Sequence, residues 1–153
     1  MSEEQKRAFQ VQRIYVKDVS FEVPGSPEVF LKGGQPKVNV QLGNQARKLS
    51  DTDFEVVLEL TVTAELNEKT AYIVEVKQAG VFTITGAEQA ELDQLLGAYC
   101  PNMLFPYVRE VISGLTSKGS FPPFHLQPIN FDVLYQQTLA KKAEEAAKGE
   151  TAH

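Results

Sequence analysis

The run Asp53-Phe54-Glu55-Val56-Val57-Leu58-Glu59-Leu60-Thr61-Val62-Thr63-Ala64-Glu65 decides the fold of this chain. Phe54, Val56, Leu58, Leu60, Val62 and Ala64 share one parity, and Asp53, Glu55, Val57, Glu59, Thr61, Thr63 and Glu65 share the other. Side chains of an extended chain point alternately to opposite faces, so this alternation describes a strand with one face buried and one face wet. Asn67-Glu68-Lys69 follows as a hairpin turn. The chain then returns from Thr70 to about Thr85, with Tyr72, Val74 and Val76 inward and Ile73, Glu75 and Lys77 outward. Gln78-Ala79-Gly80 interrupts that alternation and is expected as a bulge before Phe82 and Ile84 resume it.

Upstream of this hairpin the same period recurs. Tyr15, Val19, Phe21 and Val23 alternate with Asp18, Ser20 and Glu22, and Lys17 breaks the apolar side with a stem long enough to snorkel to an edge. Pro24-Gly25-Ser26-Pro27 ends that strand, and Glu28 to Pro36 reads as a loop carrying Val29, Phe30 and Leu31. A short strand puts Val38, Val40 and Leu42 inward, and Gly43 to Ser50 is expected as polar connection. These segments predict a four-stranded, largely antiparallel sheet.

Downstream the period changes to that of a helix. Ala87 to about Leu96 carries Leu92, Leu95 and Leu96 on one stripe. A main helix is expected from about Asn102, as its cap, to Ser117, with Pro106 near its first turn and Gly119 as its stop. Met103, Leu104, Tyr107, Val108, Val111, Ile112 and Leu115 cover more than one stripe of it, so a second apolar face is left for another copy of the chain. Phe121-Pro122-Pro123-Phe124 is a stiff aromatic loop, and Asn130 is expected to cap a last helix through roughly Lys142. Strands first and helices after predict an α+β fold. Residues 1–142 make one domain, and 143–153 a polar, flexible tail.

Composition narrows the function classes. The chain has 153 residues, 42% of them hydrophobic, enough for one domain with a core of its own. Net charge is −5 with no basic cluster, which disfavours nucleic acid. No apolar run reaches the roughly 18 residues that span a bilayer, and Met1-Ser2-Glu3-Glu4-Gln5-Lys6-Arg7 lacks the apolar core of a secretory signal. Cys100 is the only cysteine, which suits a reducing cytoplasm. It is far in sequence from His125 and His153, and three such residues make neither a four-ligand zinc site nor a recognisable nucleophile pair. Gly33-Gly34 lacks the Lys-Ser/Thr and helix of a phosphate loop. No catalytic residue, cofactor or metal is therefore expected.

Two surfaces stand out instead. Asp18, Glu22, Asp53, Glu55, Glu59, Glu65 and Glu75 fall on the outward parity against Lys37 and Lys77, with Ile73 as an apolar anchor among them. That is either a merely soluble acidic surface or a docking surface for a basic partner. Phe30, Phe121 and Phe124 lie in Pro- and Gly-rich segments; they either seal the core under long loops or line a groove that grips peptides by bulk and main-chain hydrogen bonds.

Gly97-Ala98-Tyr99-Cys100-Pro101-Asn102-Met103-Leu104-Phe105-Pro106-Tyr107-Val108-Arg109-Glu110 is specific enough to compare with known families. With Gln12 to Glu22, Gly80-Val81-Phe82, Gly119-Ser120-Phe121-Pro122 and Pro128-Ile129-Asn130-Phe131-Asp132, it resembles the SecB family of bacterial protein-export chaperones. The matching motifs are collinear from roughly Val11 to Leu139. The resemblance implies a cytoplasmic, ATP-independent chaperone that binds unfolded preproteins and hands them to the ATPase SecA. It implies a homotetramer built as a dimer of dimers, with no nucleic acid and no membrane insertion. Asp18, Glu22, Ile73 and Glu75 match the family's SecA contacts, and the zinc at that junction belongs to SecA's C-terminal tail. Phe30, Phe121 and Phe124 would line the substrate groove, with Gly33-Gly34 in a loop where the family often carries an aromatic. A related chaperone serving an unstable antitoxin in a toxin–antitoxin module is the rival reading.

Overall fold

The computed structural model describes residues 6–151; Met1 to Gln5 of the charged N-terminus and His153 lie outside the described residues. Four strands, β1 (Ala8–Glu22), β2 (Lys37–Lys48), β3 (Asp53–Leu66) and β4 (Lys69–Thr85), form one antiparallel sheet in the order β1-β4-β3-β2. Asn67 and Glu68, both at positive φ, make the tight turn between β3 and β4. Then come α1 (Gln89–Gln94), a π turn (Leu95–Tyr99), α2 (Cys100–Lys118) and α3 (Phe131–Thr151). The α+β expectation holds.

The even-numbered residues of β3, and of β4 from Tyr72 onward, face the helices. Val56, Leu58, Leu60, Val62, Val74 and Val76 are fully buried there, packed with Leu104, Val108 and Ile112 of α2 in one core. Their opposite face is open. This alternation over β3 is the one read from the sequence.

Strand β1 departs from that reading. It starts at Ala8 rather than Tyr15, and its register against β4 slips at Gln12 and again at Lys17. The expected bulge at Gln78-Ala79-Gly80 is therefore on the other strand: those residues pair without interruption with Leu58, Val57 and Val56, while β1 carries the extra residue opposite them. Each extra residue reverses the phase of what precedes it. Tyr15, expected inward with Val19 and Phe21, pairs with Ala79 and shares the outer face with Asp18 and Glu22. The apolar residues Phe9, Val11, Ile14, Val16, Val19 and Phe21 are spaced by two, three, two, three and two, and all face the helices.

Three other boundaries move for identifiable reasons. β2 continues to Lys48 through the segment expected as connection, because it pairs residue by residue with the long β3 and, at the sheet edge, needs no apolar pattern. Asn102 does not cap a helix: α1, the π turn and α2 run on without a break, and Pro106 lies inside α2, not in a first turn. The π turn sits just before Pro101, which has no N–H to give the Leu96 carbonyl; the Asn44 side-chain amide of β2 donates to that oxygen instead, at 3.3 Å. α3 reaches Thr151, beyond the expected end near Lys142, since Ala143 to Lys148 is composed of strong helix formers. Asn130 does cap it, accepting the Val133 N–H at 3.1 Å.

Candidate functional site

Antiparallel register places the residues of the outer face in rows. Glu22 lies directly opposite Ile73, Ser20 opposite Glu75, and Asp18 opposite Lys77, which in turn faces Glu59 on β3. The structure thus brings Asp18, Glu22, Ile73 and Glu75 together at one end of the outer face. The three carboxylates are exposed and Ile73 is half-buried among them. That combination offers charge for a cation and an apolar centre for a side chain.

The face as a whole is not the uniform acidic plateau that its parity suggested. The β1 bulge turns Tyr15 onto it, and Arg13 and Arg47 occupy the row of Val81 and Glu55. Glu55 is 6% exposed and is consumed there: it accepts from the Tyr15 hydroxyl and from Lys17 Nζ at 2.8 Å, with Arg47 Nη2 at 3.6 Å. The Lys17 hydrogen bond, then that of Tyr15, hold its carboxyl below the usual carboxylate range against the opposing effect of burial. Burial first, and then Glu55, push the Tyr15 phenol up to about 12. Asp53 is likewise engaged, accepting from the Thr83 hydroxyl at 2.5 Å. The free acidic character is confined to the Asp18–Glu22 end.

The aromatic loops converge on the helix side of that same end. Phe30 sits in a 3₁₀ turn, Glu28–Leu31. The Phe121–Phe124 loop is pinned to α2 through Thr116, whose hydroxyl accepts the Phe124 N–H at 3.0 Å and whose carbonyl accepts the Phe121 N–H at 3.1 Å. Gly119 lets Phe21 of β1 close against the loop: a Cβ there would stand 2.5 Å from the Phe21 ring. Phe121 then stacks between Phe30, at 5.5 Å between ring centroids, and Tyr72, at 4.8 Å. Phe30, Phe121, Phe124, Tyr72, Leu66 and Val38 line a groove of about 500 Å³. Gly34 leaves one wall without a side chain. Parity alone places Tyr72 in the core; its position at the end of the inward row of β4 is the available signal for the groove.

Other candidates fall away in place. Cys100 is fully buried and its thiol is pushed up to about 12 by burial, the state of an inert filler, not a nucleophile. His125 is exposed on the loop before Leu126. Among the described residues no group of three or more His, Cys, Asp or Glu is placed to hold a metal ion, and no helix is long and apolar enough to cross a membrane.

A sequence profile described as SecB, preprotein translocase subunit SecB, matches residues 2–142. The chain belongs to the SecB family. It is 61% identical over 155 residues to the protein-export protein SecB of Alcanivorax borkumensis, covering 99% of each chain. To the SecB of Marinobacter nauticus it is 58% identical over 139 residues, covering 91% of this chain and 84% of that one. To the SecB of Methylococcus capsulatus it is 52% identical over 156 residues, covering 100% of both. Among solved structures the fold is similar to a SecB-like chaperone from Mycobacterium tuberculosis in complex with a peptide from the HigA1 antitoxin. The TM-score there is 0.66 at 16% identity, over 79% of this chain and 90% of that one, a likeness of fold.

Proposed function

We infer that this chain is an ATP-independent export chaperone: it binds unfolded precursor proteins in the cytoplasm, keeps them translocation-competent and delivers them to the SecA ATPase. The observation that carries the reading is two unlike surfaces set back to back on one end of a single sheet. Tyr72 and Ile73 are consecutive in β4, so their side chains leave opposite faces. Tyr72 belongs to the aromatic groove and Ile73 to the exposed acidic patch. The groove suits extended, nonnative polypeptide with bulky side chains, and the patch suits a basic, zinc-bearing C-terminal tail of SecA. Release then follows from competition by the motor, not from nucleotide hydrolysis. The export proteins at 52–61% identity support this reading.

The assembly is a homotetramer, a dimer of dimers. Val16 and Val19 on β1, and Val38, Val40 and Leu42 on β2, face the helix side yet remain exposed, as does Tyr107 on α2. Apolar surface of this extent on both sheet edges supports burial against further copies, which also multiplies weak peptide sites on one particle.

The test has two arms. Replacing Asp18, Glu22 and Glu75 together by Lys should weaken titrated binding of SecA's zinc-loaded C-terminal peptide by about tenfold or more, with capture of a denatured precursor unchanged. Phe30→Ser with Phe121→Ser should do the reverse. Docking that persists at moderate salt in the first variant removes the patch assignment, and undiminished capture in the second removes the groove. Native mass spectrometry of the same samples reports the subunit number, and a stable lone subunit overturns the tetramer.

A further inference from the structure

Asp18 faces outward with the rest of the acidic patch because β1 carries the second of its two extra residues at Lys17 and not further along. Before the slip Val16 pairs with Gln78; after it Asp18 pairs with Lys77. Moving the extra residue two positions on, to Val19, would leave Phe21 opposite Val74 and Glu22 opposite Ile73. It would place Asp18 opposite Val76, turned towards the helices. Only one residue of the patch would invert, and Phe21 would stay in its contact with Gly119. That register takes Val19 off the helix face, where it is already 45% exposed, so little burial is lost.

The bulge is gripped from both faces of the sheet. On the outer face Glu55, two strands away on β3, accepts from the Tyr15 hydroxyl and from Lys17 Nζ at 2.8 Å, the residues just before and within the slip. On the helix face Gln78 Nε2 donates to the Tyr15 carbonyl at 3.1 Å. The other slip, at Gln12, has only an exposed side-chain contact to Thr83, at 3.1 Å. Ala79, which lies beside Tyr15 in the same row, is fully buried on the outer face, as Glu55 nearly is. A buried carboxylate is costly unless it is paired, and here both of its oxygens are spent on the bulge.

We propose that Glu55 is a positioning residue for partner docking: it fixes the β1 bulge at Lys17 and thereby holds Asp18 on the outer face beside Glu22, Ile73 and Glu75. Glu55 itself touches no partner. The inference rests on the docking role of that patch, and its test separates the two.

The full-length assembly is titrated with the zinc-loaded C-terminal peptide of SecA in four forms: unaltered, Glu55→Gln, lacking Lys17, and with both changes. Loss of the grip lets the second register populate, and affinity falls with the competent fraction, on the order of threefold to tenfold for Glu55→Gln. Removing Lys17 removes the extra residue itself, so Val16 and Asp18 become neighbours in a regular ladder with no competing register. In that background Glu55→Gln should cost less than about twofold. Nuclear Overhauser contacts of Asp18 report the register directly, against Lys77 in the native arrangement and against Val76 in the slipped one. Glu55→Gln should show both sets. Should the deletion fail to fold, Tyr15→Phe removes one hydroxyl and should show the second set at lower population.

Equal weakening by Glu55→Gln with and without Lys17 would mean that Glu55 acts through its own charge, and the proposal falls. It falls also if Glu55→Gln keeps a single register with full affinity, or if Tyr15→Phe shows no second set. Docking that survives Asp18→Lys with Glu22→Lys removes the patch instead, and the Asp18 contacts then still decide what Glu55 does.

Discussion

Strand β3 alternates without interruption from Phe54 to Ala64, whereas β1 breaks step twice between Ala8 and Glu22. β3 is central, paired on both sides, with one row of side chains fully buried against α2. A slip of one residue there would exchange that whole row with Glu55, Glu59 and Thr61, so burial alone enforces the period. β1 is an edge strand whose helix-side residues Val16 and Val19 are each 45% exposed. Little is lost locally by a bulge, and an edge that twists away resists pairing with stray strands. The difference teaches that register in this sheet has different guardians: hydrophobic burial at the centre and, in the role proposed above, the side-chain bonds to Glu55 at the edge.

The largest effect should come from the centre. Leu58→Ala removes a fully buried side chain under α2 and should cost about 2–5 kcal/mol in urea unfolding at fixed protein concentration. Val19→Ala in β1, where the side chain is already 45% exposed, should cost less, about 1 kcal/mol, in the same measurement. Similar losses at both positions would break the contrast between the strands.

A smaller effect should follow pH. Glu55 has a depressed pKa, so the stability it contributes is present above its ordinary value of 4.5 and is lost as pH falls through its lower folded value. Tyr15 has a raised one, so its contribution is present below 10.0 and is lost as pH rises through about 12. The stability difference between the unaltered chain and Glu55→Gln should be about 1–2 kcal/mol across the middle range and shrink at both extremes. A difference independent of pH would mean that the network contributes nothing through charge.

The smallest effect lies at the seam between the two regimes. Ser120, next to the Gly119 that receives Phe21, holds a positive φ of 65°. Ser120→Gly should relieve that backbone cost while adding freedom to the unfolded chain, for a net gain of a few tenths to about 1 kcal/mol. A loss in thermal unfolding would mean that the serine side chain, not the backbone, holds the turn.

What the sequence discloses follows the same division. β3, the Asn67-Glu68 turn, the inward row of β4 and the buried stripe of α2 are legible because burial imposes a period on them. The far half of β2 is not, because an edge strand with every residue exposed carries no such period. The phase of Tyr15 is hidden by an assumption of strict alternation, although the two-three spacing from Phe9 to Phe21 contains it. The run from Cys100 into α2 misleads because Pro101 and Asn102 look like a helix start, when tertiary packing carries the helix through them by way of a π turn. In the site, Asp18, Glu22, Ile73 and Glu75 meet as expected, and Phe30 and Phe121 come into ring contact. Tyr72 and the Glu55 network depend on cross-strand neighbours, which a single sequence does not display.

The last helix adds a mechanical point. α3 is seated at its start, where Phe131 meets Phe105 and the Tyr135 ring lies so close over Gly97 that a Cβ there would stand 2.6 Å from it. Beyond Tyr135 the described side chains are exposed, and the sixteen residues to Thr151 extend about 24 Å. A tilt of roughly 10° at that seat would displace a point about 24 Å along the helix by about 4 Å, so the close fit of the Tyr135 ring over Gly97 sets the direction of a span many times its size.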